Sequence, residues 1–175
     1  MCSSDLPGGA QPAGAEQEMK LTIVTFNRHM VAIDKGKVFQ KATFDTAVKV
    51  IHVPADSPEL KVEENRLPPR AVLLTCNKEL VVWSHKKGTA PPVQRMDATG
   101  NAYLRSDDYD GWGETVSNDG KMVVLTGSDA IPARIMQRFN AGSDQSGRQI
   151  IYDRDAGKYK VIGSFGGEIG GPPKK

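Results

Sequence analysis

Two stretches in the second half of the chain repeat one turn-then-strand unit, and a chain built from such units must fold as hairpins. Asn118-Asp119-Gly120-Lys121 runs into Met122-Val123-Val124-Leu125-Thr126-Gly127, and Asp155-Ala156-Gly157-Lys158 runs into Tyr159-Lys160-Val161-Ile162-Gly163. Setting Gly120 on Gly157 gives an offset of 37 residues and brings Lys121 onto Lys158, Val124 onto Val161 and Leu125 onto Ile162. The glycines stand where a tight turn needs a positive φ, and the residues after them suit a pleated strand. Asp34-Lys35-Gly36-Lys37 supplies an earlier turn of the same type. Repeated hairpins build sheet surface, which serves binding or bridging more often than chemistry.

A length of 175 residues suits one domain with room for a proper core. Hydrophobic residues at 38% and charged residues at 25% describe a globular chain. Eighteen glycines and eleven prolines favour many short elements joined by turns. The net charge is only +2, and the basic residues are scattered, with Lys86-Lys87 and Lys174-Lys175 the adjacent pairs; nucleic acid is therefore not an expected partner. No apolar run reaches membrane-spanning length, and no apolar segment follows a basic start as in a signal peptide. Met1-Cys2-Ser3-Ser4-Asp5-Leu6 is what a common sequencing-adaptor end encodes in frame, so the natural start is expected to lie elsewhere and this end carries no message about compartment.

Residues 1–18 read as a disordered lead-in, 19–165 as a single β domain, and 166–175 as a flexible tail rich in glycine and proline. Strands are expected at Leu21–Phe26, Met30–Ile33, Ala47–Val53, Ala71–Cys76, Leu80–His85, Ile131–Met136, Gln149–Asp153 and Tyr159–Ile162. In the stretch Ala47–Val53 the buried face is open, because Val48, Val50, Ile51 and Val53 compete for it. The cleanest alternation puts Met96, Ala98, Gly100, Ala102 and Leu104 on one parity, with polar residues and Tyr103 on the other. Pro54 to Pro69 reads as an exposed loop, since Pro68-Pro69 stops any helix. No window holds a helical apolar period beyond two turns. The expected class is all-β, with little or no helix, in a sandwich, jellyroll or barrel.

Catalytic patterns are missing. There is no Gly-x-Ser-x-Gly, and Cys76 lies in an apolar run where a small buried thiol is the expected role. Cys2 is not expected to pair with it. His29, His52 and His85 each sit in or beside a strand, without metal-ligand spacing to one another or to a cysteine, so neither a metal nor a cofactor is expected. Asp107-Asp108-Tyr109-Asp110-Gly111 faintly resembles a calcium loop, but Trp112 and Gly113 stand where ligands belong and position 119 is Asp rather than Glu; an Asp-rich turn is the better reading. A hydrolase with paired carboxylates has nothing specific in its favour. A carbohydrate-binding β-sandwich is an alternative reading, and it requires Trp83, Trp112 and Tyr109 to be exposed on one face.

Several strings together resemble a known family. Met96-Asp97-Ala98-Thr99-Gly100-Asn101-Ala102-Tyr103-Leu104, Tyr109-Asp110-Gly111-Trp112-Gly113, the turn at Asn118–Lys121, Val123–Gly127, Ala133-Arg134-Ile135, and Gln149–Asp153 followed by Gly157–Val161 are similar to the repeat of the OstA-like lipopolysaccharide-transport proteins. The match covers about residues 93–165 and extends more loosely back to about 40. Trp112, the polar stretch Gly142–Gly147 and the long 54–69 segment depart from the family pattern.

The resemblance implies an OstA-like β-jellyroll of two mostly antiparallel sheets, a non-enzymatic periplasmic protein whose interior holds lipopolysaccharide acyl chains. It also implies end strands that pair with sister jellyrolls or with a second copy of the chain. On strand parity Met96, Ala98, Ala102, Leu104, Val123, Leu125, Ala133, Ile135, Tyr159 and Val161 would line that interior, a position that plain core packing explains equally well.

Overall fold

A computed structural model describes residues 20–34, 36, 39–55, 59–63, 66–85, 93–138 and 144–164; both expected terminal segments, 1–18 and 166–175, lie outside these. The described residues contain no helix and form twelve strands: β1 (Lys20–Thr25), β2 (Met30–Asp34), β3 (Phe39–Asp45), β4 (Val48–Pro54), β5 (Val72–Cys76), β6 (Glu79–His85), β7 (Val93–Arg105), β8 (Tyr109–Asn118), β9 (Met122–Thr126), β10 (Ala133–Gln137), β11 (Asp144–Asp153) and β12 (Lys158–Ser164). Every pairing is antiparallel and all twelve belong to one hydrogen-bonded ladder.

The ladder is folded on itself. β7, β8 and β11 are long and contribute to two layers, whereas the other crossings are broken into pairs of short strands. The first layer runs β1-β4-β5, then the C-terminal part of β7, the N-terminal part of β8, β10 and the start of β11. The second runs β2-β3-β6, the N-terminal part of β7, the C-terminal part of β8, β9, the rest of β11, and β12. The two mostly antiparallel sheets of a jellyroll are here two layers joined along a fold line.

That fold line has its own backbone hydrogen bonds. Asn27 donates to the Thr46 carbonyl at 3.0 Å, Thr46 to Lys78 at 2.7 Å, Ala47 to Asn77 at 3.2 Å, Asn77 to Gly100 at 2.7 Å and Lys78 to Thr99 at 3.1 Å. Thr46, Ala47 and Asn101 all take positive φ without being glycine, the conformational cost of turning each crossing at the same height. In β7 the register shifts between Thr99 and Ala102, a bulge that bends the strand from one layer into the other. Gly100 has φ +89°, and a Cβ there would stand 2.5 Å from Lys78 Cγ and 2.9 Å from the Lys78 backbone nitrogen.

The interior lies between the layers. Val48, Val50, Leu74, Cys76, Ala102, Leu104, Ala133 and Ile135 of the first layer pack with Leu80, Ala98, Val116, Val123, Leu125 and Ile150 of the second. A second, smaller cluster covers the outer face of β1, β4 and β5. There Ile51, Val53, Ala71 and Leu73 are buried beneath Val62 and Leu67, and Ala55 is buried as well. This corrects the reading of 54–69 as a wholly exposed loop. The competition among Val48, Val50, Ile51 and Val53 ends with both faces of β4 buried, and the loop is the lid on one of them.

The 37-residue repeat is one of turn chemistry, not of facing. Gly120 and Gly157 both take positive φ. Asp119 Oδ1 accepts from the Lys121 and Met122 amides, and Asp153 Oδ1 accepts from the Asp155 and Ala156 amides. Yet the pairs closing the two turns are Asn118↔Val123 and Asp153↔Lys158, so the glycines occupy different places in them. Leu125 faces inward, whereas its repeat partner Ile162 is 40% exposed.

Because Gly100 is both left-handed and in contact with backbone, Gly100→Ala should destabilise the fold by about 2 kcal/mol or more. Gly36→Ala, also at positive φ but with nothing within 4 Å of the new Cβ, should cost about 1 kcal/mol. Urea unfolding of the two variants checks the contrast; equal losses would show that the bulge contact carries no weight.

Candidate functional site

The inner face changes character along the ladder. In the middle, Ala98, Ala102, Leu104, Val116, Val123, Leu125, Ala133, Ile135 and Ile150 are 0–2% exposed. Small residues let the layers approach: a Cβ on Gly111 would lie 3.0 Å from Leu125 Cδ1 of the opposite layer. Towards β2 the packing opens. Met30 pairs with Phe44 and so shares its inward face, yet Met30 is 51% exposed and Phe26 37%. The Phe26 and Phe44 rings lie 5.4 Å apart. Val24, Phe44, Val82 and Met96 are half-buried against the edge of the core. An apolar, inward-facing strip is therefore only partly covered by the described residues at the N-terminal end of the ladder.

At the other end the layers meet. Tyr109, at the start of β8, contacts Tyr152 of β11 with ring centroids 4.8 Å apart. Tyr159 of β12 pairs with Tyr152 on the same face. Burial pushes the Tyr109 phenol up to about 12, with smaller upward contributions from Tyr152 and Asp108 and a lowering one from Arg154. The Tyr152 phenol is raised by burial too.

All ten residues expected to line the interior fall in the one inter-layer cluster: Ala98, Ala102, Leu104, Val123, Leu125, Ala133 and Ile135 in its sealed part, and Met96, Tyr159 and Val161 half-buried at its margin. Of the ten, Met96 is the one beside the partly covered strip. Phe26, Met30, Phe44 and Val82 form the rest of that strip and were not among the ten. The signal for them was the inward parity of Leu80 and Val82, which pairs with Ala42 and Phe44 one strand further on.

The carbohydrate-module reading fails on geometry. Tyr109 is 7% exposed and faces inward. Trp112 lies on the outer face of the first layer, 5.4 Å from the Tyr103 ring and beneath Arg134. Trp83 lies on the outer face of the second layer, with the Arg95 guanidinium 5.8 Å from its ring centroid. Alternate strand parity sends the three rings to three surfaces.

The titratable groups outside the groove serve structure. Asp110, 5% exposed, accepts from Tyr103 Oη at 2.8 Å and Arg105 Nε at 3.2 Å, with Arg138 Nε at 3.7 Å. The calcium-loop residues are thus split between a turn and a strand-to-strand network. Cys76 is 2% exposed, donates to the Glu79 carbonyl at 3.3 Å, and burial pushes its thiol up, the state of an inert core cysteine. His29 faces Asp45 at 3.6 Å, His52 bonds the Thr22 hydroxyl at 2.8 Å, and His85 stacks edgewise on Phe39. No group of three or more His, Cys, Asp or Glu that could hold a metal occurs among the described residues.

No family model and no curated protein matches the sequence. Among solved structures, the chain superposes on LptH of Pseudomonas aeruginosa, the LptA-homologous periplasmic component of the lipopolysaccharide transport device, with a TM-score of 0.52 and 16% identity, covering 88% of this chain and 90% of that one. The fold is that of the LptA-type jellyroll. On that fold the chain carries the partly covered strip near β2, the Tyr109–Tyr152 contact at the far end, and Val62 and Leu67 over β1, β4 and β5.

The raised Tyr109 pKa makes a stability prediction. A phenol held neutral in the fold stabilises it fully below the ordinary value near 10, and that stabilisation is lost as pH rises through 10 towards about 12. Unfolding free energy should fall by about 2 kcal/mol over that window. Tyr109→Phe should flatten the fall without abolishing it, since burial also raises Tyr103 and Tyr152. Urea titrations between neutral and alkaline pH measure both slopes, and an unchanged slope in the variant would contradict the assignment.

Proposed function

We propose that this chain is a non-enzymatic periplasmic module of lipopolysaccharide transport, sheltering acyl chains between its two layers and joining sister jellyrolls through its end strands. The observation that carries the reading is the partly covered inward strip of Phe26, Met30, Phe44, Val82 and Met96. A soluble domain leaves contiguous apolar surface open where something else is to cover it. An acyl chain supplies that cover at ~0.8 kcal/mol for each methylene removed from water. The likeness to LptH in fold supports the same assignment. The residues Ala98, Ala102, Leu104, Val123, Leu125, Ala133, Ile135, Tyr159 and Val161 continue the strip inward, where the layers would part to admit a longer chain.

Bridging follows from the ends of the ladder. Among the described residues β2 pairs with β3 alone and β12 with β11 alone, so each presents a row of free backbone groups to another strand. Both lie in the second layer, and both carry inward apolar residues, Met30 and Ala32 on one and Tyr159 and Val161 on the other. Pairing the C-terminal edge of one jellyroll with the N-terminal edge of the next, whether a sister component or a second copy, would make the two inner faces continuous.

Met30 and Val31 offer a matched test, being neighbours on β2, each 51% exposed, on opposite faces. Met30→Asp should weaken displacement of a labelled lipopolysaccharide by lipid A about tenfold, about 1.4 kcal/mol, whereas Val31→Asp should leave it near the unmodified value. A soluble polysaccharide should not compete. Equal effects from the two substitutions, or competition by the polysaccharide, would contradict the inner-groove reading.

A further inference from the structure

The outer face of the second layer is apolar near β2, where a free sheet face is normally polar. The runs Met30-Val31-Ala32-Ile33 and Leu80-Val81-Val82-Trp83 show no polar alternation, the pattern of strands covered on both faces. Strand parity sends Val31, Ile33, Val81 and Trp83 outward, and Phe39 and Val93 join them across β3 and β7. Val31, Ile33 and Val93 are 51%, 44% and 56% exposed. Nothing among the described residues covers this patch, whereas Val62 and Leu67 cover the outer face of the first layer.

Charge is graded along the same face. Asp45 and Glu79, paired across β3 and β6, stand near the fold line. Towards the tips, the row Ile33, Lys41, Trp83, Arg95 alternates apolar and cationic side chains. Arg95 holds Asp97 at 2.9 Å, and Asp97 also accepts from Ser117 Oγ at 2.6 Å. The Lys41 ammonium has no partner among the described residues. It stands beside a trough of about 410 Å³ along β6, walled by Phe39, Trp83 and Asp97. One step further out, Asp34, Gln40, Ser84 and Gln94 lie level across the four strands. In sequence, the connections just beyond them carry Lys35, Lys37, Lys86 and Lys87.

We propose that this outer face docks on an anionic lipid bilayer. Exposed Ile33, Val31 and Val93 enter the acyl boundary, Trp83 sits at headgroup level, and Lys41 and Arg95 meet the lipid phosphates. The trough gives a headgroup room beside Lys41. A protein partner fits less well, because lysine is depleted from protein interfaces and here it stands in the middle of the apolar patch. The docking face and the acyl groove are opposite faces of the same strands. The inference therefore goes beyond the proposed function and stands on different side chains.

Sedimentation of the full chain with vesicles tests the proposal. The chain should bind vesicles of equal phosphatidylglycerol and phosphatidylcholine, and bind pure phosphatidylcholine about tenfold more weakly. Ile33→Glu and Val93→Glu should each weaken binding to the anionic vesicles by about tenfold, and Lys41→Gln by about fivefold for the one charge lost. Met136→Glu, at a 37% exposed residue on the outer face of the first layer, should bind as the unmodified chain does. Thermal melts establish that the variants fold. Without vesicles, lipid A should displace labelled lipopolysaccharide from Ile33→Glu as from the unmodified chain, which reads the groove separately. If the unmodified chain binds neither vesicle, or both equally, the docking face is wrong and the groove stands. Equal losses in Met136→Glu and Ile33→Glu would also overturn it. So would a dimer, seen by light scattering, that Ile33→Glu splits while vesicles go unbound; the face would then join two copies of the chain.

Discussion

The backbone hydrogen bonds along the fold line hold the architecture together. Each crossing of the chain turns there, and each turn would strand amides and carbonyls in the interior unless the neighbouring crossing received them. The relay from Asn27 to Thr46, Thr46 and Ala47 to Lys78 and Asn77, and Asn77 and Lys78 to Gly100 and Thr99 meets that demand step by step. Each bond adds about 0.5–1.5 kcal/mol net, and leaving one buried and unmade costs more. The relay is why two layers belong to one ladder, and why the crossings bend at a common height.

From that constraint the groove follows. Two layers hinged on one edge need not be equally close along their length. Glycine and alanine at 98, 102, 111 and 133 bring them together in the middle, and the Tyr109–Tyr152 contact pins their tips near β11. Near β2 the layers touch through the Phe26 and Phe44 rings, 5.4 Å apart, yet Phe26 stays 37% and Met30 51% exposed. The outer surfaces take the polar chemistry: the Asp110 network with Tyr103 and Arg105, and the Lys78–Glu114 pair at 3.1 Å across the fold line. The exposed pair adds little to stability.

Much of this was legible in the sequence, for identifiable reasons. The strict alternation of β7 announced Ala98, Ala102 and Leu104 as inward residues, and the Asp-Gly turn at 119–120 announced a hairpin. The ten interior residues share one inter-layer cluster because parity is a local property of a strand. The corner at Thr46-Ala47 was invisible, since both residues adopt left-handed backbone without the glycine that normally marks it; tertiary hydrogen bonds to Asn77 and Lys78 impose it. The lid of Val62 and Leu67 was missed because polar neighbours mask two isolated apolar residues. The partly covered strip was missed for a different reason: exposure of an inward residue depends on how far apart the layers stand, which no single strand encodes.

In the proposed function, lipid enters between the layers at the β2 end. A lipopolysaccharide carrying a photoreactive diazirine in an acyl chain, cross-linked to the full chain and mapped by mass spectrometry, tests it most directly. Adducts are expected at Phe26, Met30, Phe44, Val82 and Met96. Adducts confined to the outward residues Val31, Ile33 and Trp83 would contradict it.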